Sequence, residues 1–267
     1  MKPYDHLYIY EMAGRVGDVP ISSPDYIGCW SEGDSSFLFF HKDRRALVER
    51  LIEQGDLPRL VDAYDMDYEQ WQGDKLKAFR VGSLWFRPPY GDIPSPPEGC
   101  REVPFDPGVV FGTGLHPTTV DCLHLITDLF RTHIPKEVLD LGTGTGILAI
   151  ACALLGAKRV TAVDINRLSV MTAARNVELN GLTDKIDVME GDAREMLQRK
   201  ADLAVMNIHF SVLDELTNRD EFYQKRWIIL SGVLRSDYYI LLKRLQKRVR
   251  LVKERQTGHW FSAWFET

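Results

Sequence analysis

The sequence predicts an α/β protein in which a doubly wound, seven-stranded sheet follows a small α+β module. Three observations predict it. From Glu137 onward, short apolar runs of strand length alternate with helix-period segments, the rhythm of a mainly parallel sheet. The last two strand-like runs, Val249–Arg255 and Trp260–Phe265, follow one another across Thr257-Gly258 and so form a hairpin, which puts an antiparallel strand on the parallel sheet. The first 66 residues lack that alternation and hold several strand-like runs and one helix.

Within the N-terminal module, Leu7–Met12, Tyr26–Trp30 and Phe37–Phe40 have strand composition, and the polar run from Ser31 to Ser36 has hairpin-loop chemistry. Asp43 is placed as a helix N-cap before Ala46, Leu47, Leu51 and Ile52, whose spacing is helical, and Gly55 ends that helix. Leu60–Tyr64 is the next strand. The stretch from Pro88 to Pro97 is rich in proline and contains Gly91 and Asp92, so neither a regular helix nor a central strand suits it. The expected organisation is a module over 1–66, a linker and entry segment over 67–100, and the large domain over 101–267.

In the large domain, Val120, Leu123, Ile126, Leu129 and Phe130 mark one helical face. Glu137–Leu141 is a strand, Ile147–Leu155 a helix, and Arg159–Val163 a second strand. A helix from Arg167 to Asn180 stops at Gly181. Lys185–Met189, Leu203–Met206 and Trp227–Leu230 are further strands, and a helix near Tyr238–Gln246 precedes the terminal hairpin.

Composition bounds the function. The chain has 267 residues, 45% apolar and 27% charged, enough for a core that needs no staples. A net charge of -5 gives no global footprint for nucleic acid, so direct nucleic-acid binding is not expected. Four cysteines, Cys29, Cys100, Cys122 and Cys152, have no zinc or redox spacing and suit reduced thiols. His116, His124 and His133 do not make a ligand set, so no metal is expected. No apolar run reaches the ~18 residues that span a bilayer, and the N-terminal residues have no signal-peptide core. A soluble cytoplasmic protein is the expectation.

The chemistry is concentrated in Val138-Leu139-Asp140-Leu141-Gly142-Thr143-Gly144-Thr145-Gly146. A strand that runs into Gly142, Gly144 and Gly146 must turn tightly into the next helix. Glycines allow positive φ and a close approach of backbone to ligand, and the helix start offers unpaired N–H groups. A dinucleotide fingerprint is excluded, because the third glycine falls one place early and a carboxylate at Asp140 would repel a pyrophosphate. Asp140 suits an ammonium group, such as that on the methionine moiety of S-adenosyl-L-methionine.

Asp164 ends the second strand, where a carboxylate accepts hydrogen bonds from both ribose hydroxyls; a helix N-cap is its other role. Asp192, in Gly191-Asp192-Ala193, fits either an acceptor for the adenine amino group or a turn residue. Asn207 ends the fourth strand, beyond which ligands of open α/β sheets bind, and it is placed to touch cofactor and substrate unless it merely serves the turn.

Upstream, Phe111-Gly112-Thr113-Gly114-Leu115-His116-Pro117-Thr118-Thr119 precedes a helix that Thr118 or Thr119 would cap while facing the cofactor. With Val81–Pro89, Phe105-Asp106-Pro107-Gly108 and Leu230-Ser231-Gly232-Val233-Leu234, this run resembles the PrmA-type methyltransferases, which modify ribosomal protein L11. The resemblance extends from Asp67 to nearly the end of the chain. It implies a Rossmann-like methyltransferase fold, S-adenosyl-L-methionine as methyl donor with S-adenosyl-L-homocysteine as product, and a protein substrate, such as a ribosomal protein, methylated on amine groups. It also places Thr119, Gly142, Asp164 and Asn207 on cofactor-binding positions. Two departures bear on the substrate: His209-Phe210 stands where the family continues Asn-Ile with Leu-Ala, and the first ~65 residues show little of the family's recognition domain.

Methyl transfer from a sulfonium is an in-line displacement that needs alignment in a dry site. An amine acceptor must arrive neutral, against a free lysine pKa of about 10.4. Asn207 is positioned to orient its lone pair; His209 is a candidate to assist deprotonation or a turn histidine. Transfer to another protein or a small molecule, or cofactor binding without turnover, are the competing functions. The basic run Lys243, Arg244, Lys247, Arg248, Arg250 and Lys253 suits a solvated face, or contact with an acidic partner or ribosomal RNA.

Overall fold

The computed structural model describes residues 3–17, 21–72, 77–91, 94–110 and 114–267. Two compact units form: Met1–Leu76 with Gly108–Val110, and Lys77–Pro107 with Phe111–Thr267.

The first unit contains strands β1 (His6–Ala13), β2 (Tyr26–Glu32) and β3 (Ser35–Phe40), helix α1 (Arg45–Glu53), strand β4 (Leu60–Asp67) and the short helix α2 (Tyr68–Gln72). The strands form an antiparallel sheet in the order β2-β3-β1-β4. Strand β1 buries side chains on both faces, Leu7 and Ile9 on one and Tyr10 and Met12 on the other, and Tyr10, Met12, Leu38, Phe40, Val48 and Leu57 pack as one core. The β2–β3 turn is tighter than its polar composition suggests: Ser31 pairs with Ser36 and Glu32 with Ser35. Only Gly33 and Asp34 remain for the turn, and Gly33 takes φ +57°, the handedness a two-residue hairpin favours. Arg44 occupies the cap position of α1 without a side-chain bond, while Asp43 Oδ1 accepts from the Arg45 N–H at 2.9 Å, one residue further out than a standard cap.

The second unit opens with strands β5 (Phe79–Val81), β6 (Leu84–Arg87) and β7 (Arg101–Pro104). They form a three-stranded sheet, and the proline-rich 88–97 stretch, of which residues 92 and 93 lie outside the described residues, belongs to the connection between β6 and the parallel β7. Helix α3 (Pro117–Thr132) leads into the large sheet. This is built from β8 (Glu137–Leu141), α4 (Ile147–Leu155), β9 (Arg159–Asp164), α5 (Arg167–Leu179), β10 (Ile186–Glu190), α6 (Ala193–Met196), β11 (Leu203–Asn207), α7 (Phe210–Leu216), β12 (Trp227–Leu234), α8 (Arg235–Leu245), β13 (Arg250–Thr257) and β14 (Trp260–Glu266).

The sheet order is β10-β9-β8-β11-β12-β14-β13, with β14 antiparallel to both neighbours. The seven-stranded, Rossmann-like sheet with a terminal antiparallel hairpin is therefore the fold the sequence predicts. Strand order reverses between β8 and β11, so the carboxyl ends of these strands flank the switch-point crevice. Apolar side chains cover both faces. Leu125, Ile126, Leu129, Ile150, Val160, Val205 and Ile229 lie in one cluster. Leu139, Leu141, Val163, Met206, Ile228, Leu230, Tyr238 and Phe265 lie in the other.

Strand β12 runs four residues beyond the expected end at Leu230. A bulge carries it on: register shifts between Leu230 and Val233, and Gly232 takes φ +86°. A Cβ on Gly232 would lie 2.5 Å from the Ile208 carbonyl oxygen, so the bulge closes against the segment after β11. Helices α6 and α7, with four and seven residues, are too short to generate a helical period in the sequence. Among the described residues no helix is long and apolar enough to cross a membrane, and no group of histidine, cysteine and acidic side chains could hold a metal ion.

Candidate functional site

The turn after β8 is held in shape from both sides. Gly142, Gly144 and Gly146 have φ of +75°, +56° and +82°, a region that costs other residues roughly 1–2 kcal/mol each. The backbone N–H groups of Gly142 and Thr143 both donate to the Val163 carbonyl, at 2.8 and 2.9 Å, which ties the turn to the end of β9. A Cβ on Gly142 would lie 2.1 Å from Ile208 Cγ2, and one on Gly146 3.1 Å from the Ala173 Cβ. The glycines at 142 and 146 thus serve packing against α5 and the β11–α7 segment as well as backbone conformation.

Asp140 lies beneath this turn, 1% exposed, with Oδ2 accepting from the Thr143 hydroxyl at 2.7 Å. Among the described residues its Oδ1 has no hydrogen-bond partner. Burial pushes its pKa up to about 7, and the nearby Asp164 charge adds to that, against the Thr143 hydroxyl and the Ala149 N–H, which favour the anion. Buried carboxylates without full pairing are costly. An orphaned acceptor under a glycine turn fits a ligand that brings a cation.

Asp164, at the tip of β9, is half-buried. Its Oδ2 accepts from the Gly144 N–H at 2.8 Å and its Oδ1 from the Asn166 N–H at 2.9 Å. Burial raises its pKa, opposed by these backbone N–H bonds. The capping role weighed for Asp164 is taken instead by Asn166, whose Oδ1 accepts from the Leu168 N–H at 2.8 Å. Asp192 caps α6, with Oδ1 accepting from the Arg194 N–H at 2.8 Å, and it pairs with the Arg194 guanidinium at 3.3 Å.

Asn207, at the end of β11, donates through Nδ2 to Thr119 Oγ1 at 3.3 Å. Two residues 88 positions apart in sequence are thereby brought together at the switch point. Thr118 and Thr119 do not cap α3 as expected. They lie buried in its first turn, and His116 is the cap, with Nδ1 accepting from the Thr118 N–H at 3.4 Å. The His116 ring stands edge-on to Trp260 at 5.2 Å. His209 also caps a helix: its Nδ1 accepts from the Ser211 N–H at 3.3 Å, and the ring is exposed. Of the motif run before α3, Phe111, Gly112 and Thr113 lie outside the described residues.

Sequence reasoning missed Asn176. This fully buried residue of α5 donates from Nδ2 to the Asp106 carbonyl at 2.8 Å and the Thr145 carbonyl at 2.9 Å, and its Oδ1 accepts from the Asp106 N–H at 2.9 Å. It joins the Phe105–Pro107 loop to the glycine turn. The signal was available: Asn176 falls on the helix face of Ala173 and Val177, where an amide is out of place unless it satisfies buried backbone.

The chain matches the family model described as "Ribosomal protein L11 methyltransferase (PrmA)" over residues 43–266. It belongs to this family. The protein named ribosomal protein L11 methyltransferase from Carboxydothermus hydrogenoformans is 33% identical over 222 residues, covering 79% of this chain and 70% of that one. Its namesake from Actinobacillus pleuropneumoniae serotype 7 is 35% identical over 209 residues, 74% of this chain and 69% of that one. A crystal structure of a ribosomal protein L11 methylase from Lactobacillus delbrueckii subsp. bulgaricus superimposes with a TM-score of 0.59 at 26% identity, covering 71% of this chain and 97% of that one. The PrmA match makes the chain a methyltransferase, and it begins within the N-terminal module, earlier than the Asp67 suggested by sequence motifs.

The basic run is largely neutralised. Arg244 pairs with Asp214 at 2.8 Å, Arg248 with Asp220 at 2.8 Å, Lys253 with Asp128 at 2.6 Å, and Arg250 with Glu266. That arrangement fits the solvated face.

Proposed function

We propose that this methyltransferase transfers the methyl group of S-adenosyl-L-methionine to amine groups of a ribosomal protein, with L11 as the first candidate, in the cytoplasm. The observation that carries the reading is the convergence of the glycine turn, Asp164 and the Asn207–Thr119 pair on one switch-point crevice. The family names supply the substrate class.

The residues present fit the cofactor. Asp140 offers an unsatisfied buried carboxylate oxygen for the ammonium. Gly142, Gly144 and Gly146 allow the backbone to approach it, Asp164 has carboxylate lone pairs for the ribose hydroxyls, and Asp192 keeps an acceptor for the adenine amino group beside its capping bond. The bound cofactor supplies an electrophilic methyl on a sulfonium. Asn207 holds the acceptor nitrogen by its amide oxygen while its amide nitrogen is anchored on Thr119. The acceptor must be neutral before attack, so the site favours the uncharged amine by excluding water. His209 is a helix cap at the rim, and a role in accepting the amine proton is secondary to that.

The test is incubation of the protein with isotopically labelled S-adenosyl-L-methionine and purified L11. Labelled L11, with label lost on Asp164→Ala, supports the reading. Cofactor binding by calorimetry without label on L11 rejects the substrate, and absence of cofactor binding by folded protein rejects the cofactor.

A further inference from the structure

One side of the site carries an apolar rim. Asn207 touches Thr119 in the first turn of α3, and His116 caps that turn. The ring of His116 meets Trp260 at 5.2 Å, and Trp260 pairs in register with Leu234, the last residue of β12. Three large apolar groups are left to solvent along this line: Leu115 is 37% and Leu234 43% exposed, and Trp260 is half-buried. Their neighbours Val233 and Phe261 are buried, so β12 and β14 have a core face, and Leu234 and Trp260 point away from it. Exposed apolar groups gathered together beside a site, unlike single ones, fit a contact surface.

Geometry sets what the surface can receive. Trp260 lies two strands from β11 in the order β11-β12-β14, about 10 Å to the side, and, since Asn207 pairs with Ser231 and Leu234 with Trp260, about two residues further along the strands, so the rim is roughly 12 Å from Asn207. An extended peptide advances about 3.3 Å per residue. A side chain three or four residues from the acceptor therefore falls on the rim. The indole is already braced by His116, so little freedom is lost on binding.

We propose that Trp260, Leu234 and Leu115 form a shoulder that takes an apolar side chain of the protein substrate, three or four residues from the methylated amine. The proposal rests on the reading of a protein amine as acceptor. The shoulder is a specificity element; it touches neither the cofactor nor the reacting atoms.

The test measures KM and kcat for L11 with wild type, Trp260→Ala, Trp260→Phe and Leu234→Ser. The expected result is a KM raised about tenfold by Trp260→Ala and severalfold by Leu234→Ser, with kcat and cofactor affinity close to wild type. Trp260→Phe restores most of the loss. Leu234 is a solvent-facing side chain, so Leu234→Ser keeps its melting temperature and separates a docking role from a folding one. In a second arm, apolar residues of L11 flanking each methylated amine are replaced by Asp. Substitution three or four residues away raises KM for wild type, and has a smaller further effect in Trp260→Ala. An unchanged KM in both Trp260→Ala and Leu234→Ser overturns the shoulder while leaving the methyltransferase reading standing. Wild type that methylates no L11 overturns the proposed substrate, and the shoulder with it.

Discussion

Replacing Asn176 with Leu, nearly the same size, removes the clamp between α5, the Phe105–Pro107 loop and the glycine turn. Three buried backbone groups then lose their bond to Asn176: the Asp106 N–H, the Asp106 carbonyl and the Thr145 carbonyl. A hydrogen bond of this kind contributes about 1 kcal/mol net. For the three together the loss is about 3 kcal/mol. For a domain of this size each kcal/mol lowers the melting temperature by about 2–4 °C, so a fall of roughly 6–12 °C is expected. Asn176→Asp keeps the acceptor and loses both donors, and it also buries a carboxylate, so it should be no better than the Leu variant. Thermal unfolding followed by circular dichroism gives the stability, and titration calorimetry gives cofactor affinity. Because Thr145 belongs to the turn, affinity should fall with stability. A melting temperature within 2 °C of wild type would show that the three bonds are replaced by water, and the reasoning would fail.

Gly142→Ala should destabilise by about 1–2 kcal/mol from its positive φ alone, and further from the 2.1 Å approach of its Cβ to Ile208 Cγ2. Ile208→Ala in the same chain should recover the clash component, seen as a higher urea midpoint than Gly142→Ala alone; equal midpoints would place the cost elsewhere. Asp140 has a pKa raised to about 7 from an ordinary value of 3.8, so the folded state holds the proton more tightly than the unfolded state. Its contribution therefore favours folding at low pH and declines as pH rises from about 4 to 7. Asp140→Asn should gain stability relative to wild type between pH 5 and pH 8 in urea titrations, by an amount on the order of a few kcal/mol; a constant difference would refute the buried proton. An ammonium bound beside Asp140 lowers that pKa, so cofactor binding at pH 7 should release protons, detected as a buffer-dependent calorimetric enthalpy. The exposed Lys243 and Lys247 should be replaceable by Ser without change in KM for L11, and a raised KM would revive a partner role for the basic run.

The parallel core was legible because its strands are short, apolar and separated by helix-period segments. Ile147–Leu155 forms a helix with the expected ends, and the C-terminal hairpin joins the sheet antiparallel. Polar residues at strand ends stand out in the sequence for a related reason: a carboxylate or amide at the tip of an apolar strand has little packing role. What failed were assignments that depend on local backbone competition. His116 capped α3 instead of a threonine, and Asn166 capped α5, because the cap is chosen by φ and ψ at one residue and several polar side chains stood within reach. Asn176 was overlooked because its partners are 70 and 31 residues away, at Asp106 and Thr145. The β12 bulge was invisible because a positive-φ glycine within a strand leaves no periodic trace.

The residues that build the crevice are the ones least favourable to folding. Three glycines give up backbone entropy and sit at positive φ, and Asp140 loses hydration without full compensation. The core clusters on both faces of the sheet can carry this cost, since their apolar residues are nearly all below one-tenth exposed. A fold selected for stability alone would place an apolar side chain at position 140 and residues with a Cβ in the turn. A ligand that supplied a cation to Asp140 and polar groups to Asp164 and the turn would convert the same features into binding energy. The strain is local, faces one crevice and is matched by Asn176, which fixes the turn from behind. That division, a rigid clamp beneath and an unsatisfied surface above, is what preorganised binding requires. It also explains why Asp140, identified from its charge beside the glycines, is the residue through which stability and cofactor affinity should be coupled.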